Sequence, residues 1–400
     1  VEQFVIAADP INMPTGDSLM RWIVLLALLG ALTWTISGCK QQPSQSSDSE
    51  ILIGEYGSMT GSEAVFGQST DKGIRLALKE INTDGGELGK QVKLISEDDQ
   101  SDQDTAVTVV KKLIDSDNVL AVLGEVASTR SMAGGAVCEQ SHVPMITPSS
   151  TNPDVTKDRK YVFRVCFTDD FQGSVGADFA IRKGWKKIAV LTCADSDYSK
   201  KLSEFFKQRF EQNGQIVAEE SYNSADKDFT AQLTRIQAAN PDAVYLPGYY
   251  SSIELILPQA RNNLNLKVPF FGGDGWDGDW IKTTGAVCDG CFYTNHYSPD
   301  DPSPAVQTFV KSFQSEYGGE TPDAMAITGY DAARVLCDAI GRAGKIDRDA
   351  VRDAIAQTKD FPGAGGSITI DANHNAKKPI VILEIEGGKT HLADTIQPTE

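Results

Sequence analysis

One stretch, Gly124 to Pro153 (GEVASTRSMAGGAVCEQSHVPMITPSSTNP), carries hydroxyls at a spacing suited to holding a small charged solute. Ser128 and Thr129 follow the apolar run Val119–Leu123, which reads as a buried strand, and they open a helix. Hydroxyls and free backbone N–H groups at a helix start bind small anions; the same residues also serve as an ordinary cap. A second apolar run, Pro144–Pro148, ends in Ser149, Ser150 and Thr151. Two neighbouring strands that both end in hydroxyls make a polar pocket for a small zwitterion.

Other reactive residues support no catalysis. His142, His296, His374 and His391 have no nucleophile motif around them. Gly16-Asp17-Ser18-Leu19 matches the nucleophile motif of one esterase family but precedes an apolar leader, and reads as chance. Cys288 and Cys291 with His296 fall one ligand short of a zinc site. Asp274, Asp277 and Asp279 lack the spacing of a calcium loop. Gly85–Lys90 is one residue too short for a phosphate loop and is followed by Gln91 where Ser or Thr is required. No catalytic residue, metal or cofactor is expected. The net charge of −18 over 400 residues argues against nucleic acid, which calls for basic patches.

At the front, Trp22–Ile36 is an uncharged run after Met20 and Arg21, the length of a signal peptide's apolar core and short for a spanning helix. It ends in Ile36-Ser37-Gly38-Cys39, which resembles a bacterial lipobox. Residues 20–38 are therefore expected to be a lipoprotein signal peptide and Cys39 the lipidated residue. Residues 1–19 read as an upstream translation artefact, and 39–50 as a flexible tether.

Beyond the tether, strands and helices alternate. Ile51–Gly57 is a strand that runs into the glycine-rich loop GSMTGSEAVFGQ, and Ile74, Ala77, Leu78 and Ile81 lie on one helix face. Val92–Ile95 is the next strand, and Ala106, Val109, Val110, Leu113 and Ile114 line a second helix. A similar series follows, with strands at Tyr161–Val165, Lys187–Thr192, Ile216–Val217, Ala243–Leu246 and Val268–Phe271 between helical segments. Helices near 303–317 and 322–343 come next, then strands at Ser367–Ile370 and Pro379–Ile385. This pattern predicts an α/β fold of two doubly wound, parallel-sheet lobes with a ligand cleft between them.

The order of several fragments carries a resemblance: EINTDGG, GEVAST, VPMITPSST, VFRV before DDFQG, IAVLTCADSDYS, DFTAQLTRIQAANPDAVYLPGYY, FFGGDGWDG and GYDAARVL. From about Ile51 to Ile396 the chain resembles the type I periplasmic binding proteins, specifically the leucine/isoleucine/valine-binding family of ABC-transporter receptors. The resemblance implies a three-strand hinge, with crossings at 151–167, 294–298 and 371–378. One lobe is then 51–150 with 299–370, and the other 168–293 with 379–400. It further implies an amino-acid ligand, an ABC permease as partner, a monomer, and a periplasmic or cell-surface location held by the lipid anchor.

The same resemblance assigns ligand contacts. Ser128 and Thr151 match positions that hold the α-carboxylate. Ser149 matches one whose backbone carbonyl accepts from the α-ammonium. Asp274 matches an acid, usually glutamate, that pairs with the ammonium. Tyr198 and Tyr249 match aromatics that close over the ligand, and Phe66 one beside its side chain. Trp276 is open to two readings, pocket lining or structural aromatic. Some relatives have a disulfide near the first pocket loop; here Ser101 and Ala127 stand at those positions. Related receptors also suit an aromatic acid, amide or urea, or act as sensors for a signalling partner.

Cys39 aside, six cysteines remain, and an even number outside the cytoplasm permits disulfides. Cys288 and Cys291, with Gly290 between them, are expected to close a local ring. Cys166 and Cys193 each end a second-lobe strand, an arrangement that permits pairing. Cys138 and Cys337 lie on apolar helix faces and read as buried free thiols.

The lipobox reading makes a direct expectation. Cys39→Ser protein should lose its lipid label and leave the membrane fraction. Wild-type protein without label, retained equally with the variant, would contradict it.

Overall fold

The computed structural model describes residues 50–398; the leader and Cys39 lie outside them. The chain opens with β1 (Glu50–Gly57), α1 (Ala64–Thr83), β2 (Gln91–Asp98), α2 (Gln103–Asp115), β3 (Val122–Leu123), α3 (Ser128–Gln140), β4 (Met145–Thr147) and β5 (Val162–Arg164). These five strands form a parallel sheet in the order β2-β1-β3-β4-β5. Local chemistry sets the boundaries: Asp102, for example, accepts from the Thr105 N–H and so starts α2 with a side-chain cap. Of the expected strand Val119–Leu123, only Val122–Leu123 is regular. Leu120 N–H still bonds Leu52 O and Gly54 N–H bonds Ala121 O, so the run is buried against β1 without full strand register.

The second series follows: α4 (Asp169–Arg182), β6 (Lys187–Cys193), α5 (Asp197–Phe210), β7 (Gln215–Tyr222), α6 (Thr230–Ala238), β8 (Ala243–Tyr245), α7 (Tyr250–Pro258), β9 (Phe270–Gly272), α8 (Trp280–Thr284) and β10 (Cys291–Asn295). The chain returns to the first lobe with α9 (Pro304–Glu316), α10 (Ala324–Ala343), α11 (Arg348–Ala356) and the small hairpin of β11 (Phe361–Gly363) and β12 (Gly366–Ile368). It ends in β13 (Ile380–Glu386) and β14 (Lys389–Ile396). The second sheet runs β14-β13-β10-β9-β8-β6-β7, with β13 and β14 antiparallel at one edge. β14 alternates intermediate and exposed side chains, so it lacks the apolar run that marks the other strands.

Each sheet has a core on both faces. Ile74, Phe309 and Leu336 cover one face of the first, and Val110, Leu113 and Val137 the other. Leu233, Ile253 and Trp276 cover one face of the second, and Phe179, Phe206 and Phe210 the other. The strand order reverses direction beside β1 and beside β6, so each sheet has a topological switch point, where open α/β sheets bind ligands. β5 lies inside 151–167, the stretch assigned to the first crossing. It is the fifth strand of the first sheet, and the chain leaves that sheet after Arg164. Among the described residues, no helix is long and apolar enough to cross a membrane.

The lobes touch along a seam. Val65 N–H donates to the Tyr250 hydroxyl at 3.2 Å, and Asp197 N–H to Thr129 Oγ1 at 3.1 Å. Asp277 of the second lobe accepts from Ala324 N–H at 2.7 Å, the start of α10, while Asp323 caps that helix through Ala326 N–H at 2.9 Å. Burial first, and the Asp277 charge second, push the Asp323 carboxyl up to about 7. The folded protein thus favours a proton that the unfolded chain releases in the ordinary carboxylate range. The contribution to stability is full below that range and is lost as pH rises through about 7. The wild-type melting temperature should fall by several degrees from pH 6 to pH 8. Asp323→Asn keeps a cap acceptor without the charge, and should flatten that fall; parallel slopes would contradict the assignment.

Candidate ligand site

Phe66 stands on the first turn of α1, just beyond the loop that leaves β1. Gly67 lets that turn press on the loop, because a β-carbon there would lie 2.2 Å from the Ser58 carbonyl oxygen. Ser128 is the first residue of α3, and its Oγ accepts from Asn152 N–H at 3.3 Å. The Ser149 hydroxyl is bonded to Thr328 Oγ1 of α10 at 2.7 Å. Thr151 Oγ1 is buried without a hydrogen-bond partner. Two hydroxyls of the stretch turn elsewhere. Ser150 bonds Ser131 Oγ and the carbonyls of Glu125 and Val126, and Thr129 meets Asp197 across the seam.

Two buried guanidinium groups hold these loops in shape. Arg164 donates to Ser150 O at 2.5 Å, Asn152 O at 2.8 Å and Asn375 Oδ1 at 2.7 Å, and so joins the pocket loop to the third connection between lobes. Arg130 lies 3.0 Å from Glu63, 3.3 Å from Glu125 and 3.8 Å from Asp99. Burial first, then the Glu125 charge, push the Asp99 carboxyl up to about 7, and the Ser58 hydroxyl lies within hydrogen-bond distance of both acids. At the positions where some relatives have a disulfide, hydrogen bonds do the fastening: Ser101 Oγ accepts from Glu63 N–H and donates to Thr60 O, and Ala127 N–H donates to Glu125.

From the second lobe, Tyr198 follows β6 and Tyr249 follows β8, so the two flank that sheet's switch point. Their rings stack at 5.1 Å, and Phe66 meets Tyr249 edge-on at 6.0 Å. Asp274 follows β9. Its Oδ1 accepts from Gln172 Nε2 at 2.8 Å and the Tyr198 hydroxyl at 2.9 Å, while Oδ2 faces His296 Nε2 at 3.1 Å. Gly273 is required beside it: a β-carbon there would lie 2.3 Å from the Tyr198 hydroxyl. Trp276 is fully buried, donates to Leu246 O at 2.8 Å and packs on Trp280 and Tyr293, so it is a structural aromatic.

Three polar residues here had no role in the sequence reading: Asp169, Gln172 and His296. Asp169 is the first residue of α4, and its N–H donates to Thr151 O at 2.9 Å. Both its carboxylate oxygens are buried without a hydrogen-bond partner. Burial, and then the Asp274 charge, push its carboxyl well above the usual range. The signal was present in the fragment DDFQG, because Asp169 and Gln172 stand three apart on a helix start and share a face. Of the seven expected ligand residues, Phe66, Tyr249, Tyr198 and Asp274 are joined by direct contacts across the seam, Ser128 meets Asn152, Thr151 adjoins Asp169, and the Ser149 hydroxyl turns to Thr328 within its own lobe.

The expected Cys288–Cys291 bond is not formed: both are buried free thiols, as are Cys166 and Cys193, whose pairing was only permitted, and Cys138 and Cys337. Cys288 Sγ points to the Gly285 carbonyl at 3.0 Å, while Cys291 Sγ receives Arg261 at 3.8 Å. Cys166 points to Ser150 O and Cys193 to Asp195. A separate groove of about 1320 Å³, lined by Lys157, Phe167, Asp371 and Lys377 among others, contains none of the seven expected residues.

Two α/β lobes, each with its switch point at the strand ends that carry these residues, form the architecture of a solute-binding receptor. The chain belongs to the periplasmic binding protein family, whose model matches residues 50–390. It is 40% identical to the leucine-binding protein of Thermotoga maritima, with a TM-score of 0.84 over 87% of this chain and 99% of that one. A branched-chain amino-acid transporter substrate-binding protein of Streptococcus pneumoniae, solved with isoleucine, is 31% identical, with a TM-score of 0.83 over 88% of this chain and 100% of that one. The Leu/Ile/Val-binding protein of Rhizobium johnstonii is 31% identical over 329 residues, 80% of this chain and 87% of that protein.

Arg164 offers a test of how the pocket loop is held. Arg164→Met removes the charged donor from Ser150 O, Asn152 O and Asn375 Oδ1, leaving Ser150 O the Cys166 thiol and Asn152 O the Val155 N–H. Its expected cost is roughly 2–5 kcal/mol of stability, read from denaturant unfolding. A variant as stable as wild type would show that the loop holds its shape without the guanidinium.

Proposed function

We propose that the protein is an extracytoplasmic receptor, not an enzyme, that captures a branched-chain or other neutral α-amino acid and delivers it to an ABC permease. The observation that carries this reading is the pair of buried acids. Asp169 is fully buried near Asp274, and the Thr151 hydroxyl and Arg164 charge offset its burial only in part, so its carboxyl stays well above the usual range. Burying a carboxylate without a counter-charge is costly, so a cleft built this way calls for a cation. An α-ammonium placed there puts the α-carboxylate toward Ser128, Thr151 and the start of α3, where backbone N–H groups and the helix dipole favour an anion. Phe66 and Tyr249, with Val126 and Met325 nearby in the same apolar cluster, then face a neutral side chain.

An aromatic acid without an amine would satisfy the hydroxyls and leave both acids without a cation. The amino-acid reading is preferred on that ground. Closure proceeds about the three connections that follow Arg164, Asn295 and Ala376. Cys39 supplies the lipid anchor, and the receptor acts as a monomer.

A thermal-shift screen of the twenty amino acids and several aromatic acids identifies the ligand. Calorimetry then compares the best amino acid with its des-amino analogue. Asp274→Asn and Asp169→Asn should each weaken the amino acid by about 2–5 kcal/mol, roughly 30- to several-thousand-fold, and should affect the analogue much less. Wild-type affinity in both variants would remove the ammonium assignment.

A further inference from the structure

The Asp274 carboxylate is gripped from three sides, by Gln172 on α4, by Tyr198 on α5, and by His296 on the connection between β10 and α9. His296 differs from the other two. Gln172 and Tyr198 move with the second lobe, whereas His296 sits on one of the three connections about which the lobes turn. Its ring stacks on Phe167, on another of those connections, at 4.3 Å and 24°. The imidazole is thus held between two crossings. It is fully buried, and its Nδ1 has no hydrogen-bond partner, while Nε2 faces Asp274 Oδ2. A neutral ring in this setting carries its proton on Nε2 and donates to the carboxylate.

We propose that His296 is a positioning residue that aims the Asp274 carboxylate at the ligand's ammonium group and so sets the preference for amino acids over plain carboxylic acids. The proposal rests on the ammonium reading of Asp274 given above. Its physical basis is the shortness of the aspartate. With one methylene, Asp274 has little reach of its own, and the donors on its two oxygens decide where its remaining lone pairs point. Tyr198 and Gln172 both act on Oδ1. His296 acts on Oδ2, so removing it frees the carboxylate to turn about its χ2 torsion, which is broad.

The position of the ring also ties this aim to closure. Phe167 and His296 can keep their stack only when the first and second connections hold the relative setting seen here. Asp274 is therefore aimed in the setting in which the lobes touch along the seam. Second-sphere donors of this kind fix a charged group's direction without touching the ligand.

The test uses full-length protein with the best amino acid and its des-amino analogue, measured by calorimetry. His296→Phe keeps a flat ring against Phe167 and removes the donor. It should weaken the amino acid about 10- to 100-fold, the range of a lost hydrogen bond to a charged group, and leave the analogue unchanged. His296→Gln, which places an amide donor near Nε2, should restore most of the loss. In an Asp274→Asn background, His296→Phe should have no further effect. Equal weakening of both ligands, or a full effect in the Asp274→Asn background, overturns the positioning role.

The two readings separate cleanly. Should Asp274→Asn itself keep the wild-type preference, the ammonium reading fails, and the role of His296 with it. Should Asp274→Asn lose the preference while His296→Phe keeps it, only the role of His296 falls. Nitrogen-15 NMR of the wild-type ring gives a reading that needs no variant to fold. A proton on Nε2 is expected, and a neutral ring protonated on Nδ1 alone overturns the proposal.

Discussion

Two buried carboxylates, Asp169 and Asp274, lie near each other, and among the described residues neither forms an ion pair with a lysine or arginine. This constraint organises the site. A buried carboxylate costs several kcal/mol unless a cation or several donors compensate it. Asp274 has three donors, whereas Asp169 has only the nearby Thr151 hydroxyl and the more distant Arg164 charge to offset its burial. Both acids belong to the second lobe. On the proposed reading a ligand cation between them relieves both there, while the ligand's carboxylate reaches Ser128 and Thr151 of the first pocket loops.

The remainder of the fold delivers groups to the seam from opposite sides. Each parallel sheet offers its switch point: Phe66 and Ser128 flank β1 and β3 in one lobe, and Tyr198 and Tyr249 flank β6 and β8 in the other. The lobes' own charges are settled separately. Arg130 sits among Glu63, Asp99 and Glu125 beneath the first pocket loop, and Arg164 holds the second loop by its carbonyls.

Much of this was legible in the chain. Apolar runs at βαβ spacing marked both sheets, and hydroxyls after two neighbouring strands marked the pocket loops, because strand ends and helix starts leave local traces. Groups whose role depends on distant partners left no such trace. Asp169 and His296 lie 127 residues apart in sequence and meet only through Asp274. Ser150 and Thr129 look as suitable as Ser128, yet they turn to carbonyls and to Asp197, and only packing decides which hydroxyl faces the cleft. The cysteines show the same limit. Closeness in sequence makes Cys288 and Cys291 an attractive pair, but the fold directs one sulfur to a carbonyl and the other to a guanidinium.

The most direct test is a crystal structure of the protein with the amino acid that the screen identifies. The ammonium is expected between Asp169 and Asp274 and the carboxylate on Ser128 and Thr151, with the side chain against Phe66 and Tyr249. A ligand bound in the reverse orientation, or seated in the hinge-side groove with the two acids still unpaired, would contradict it.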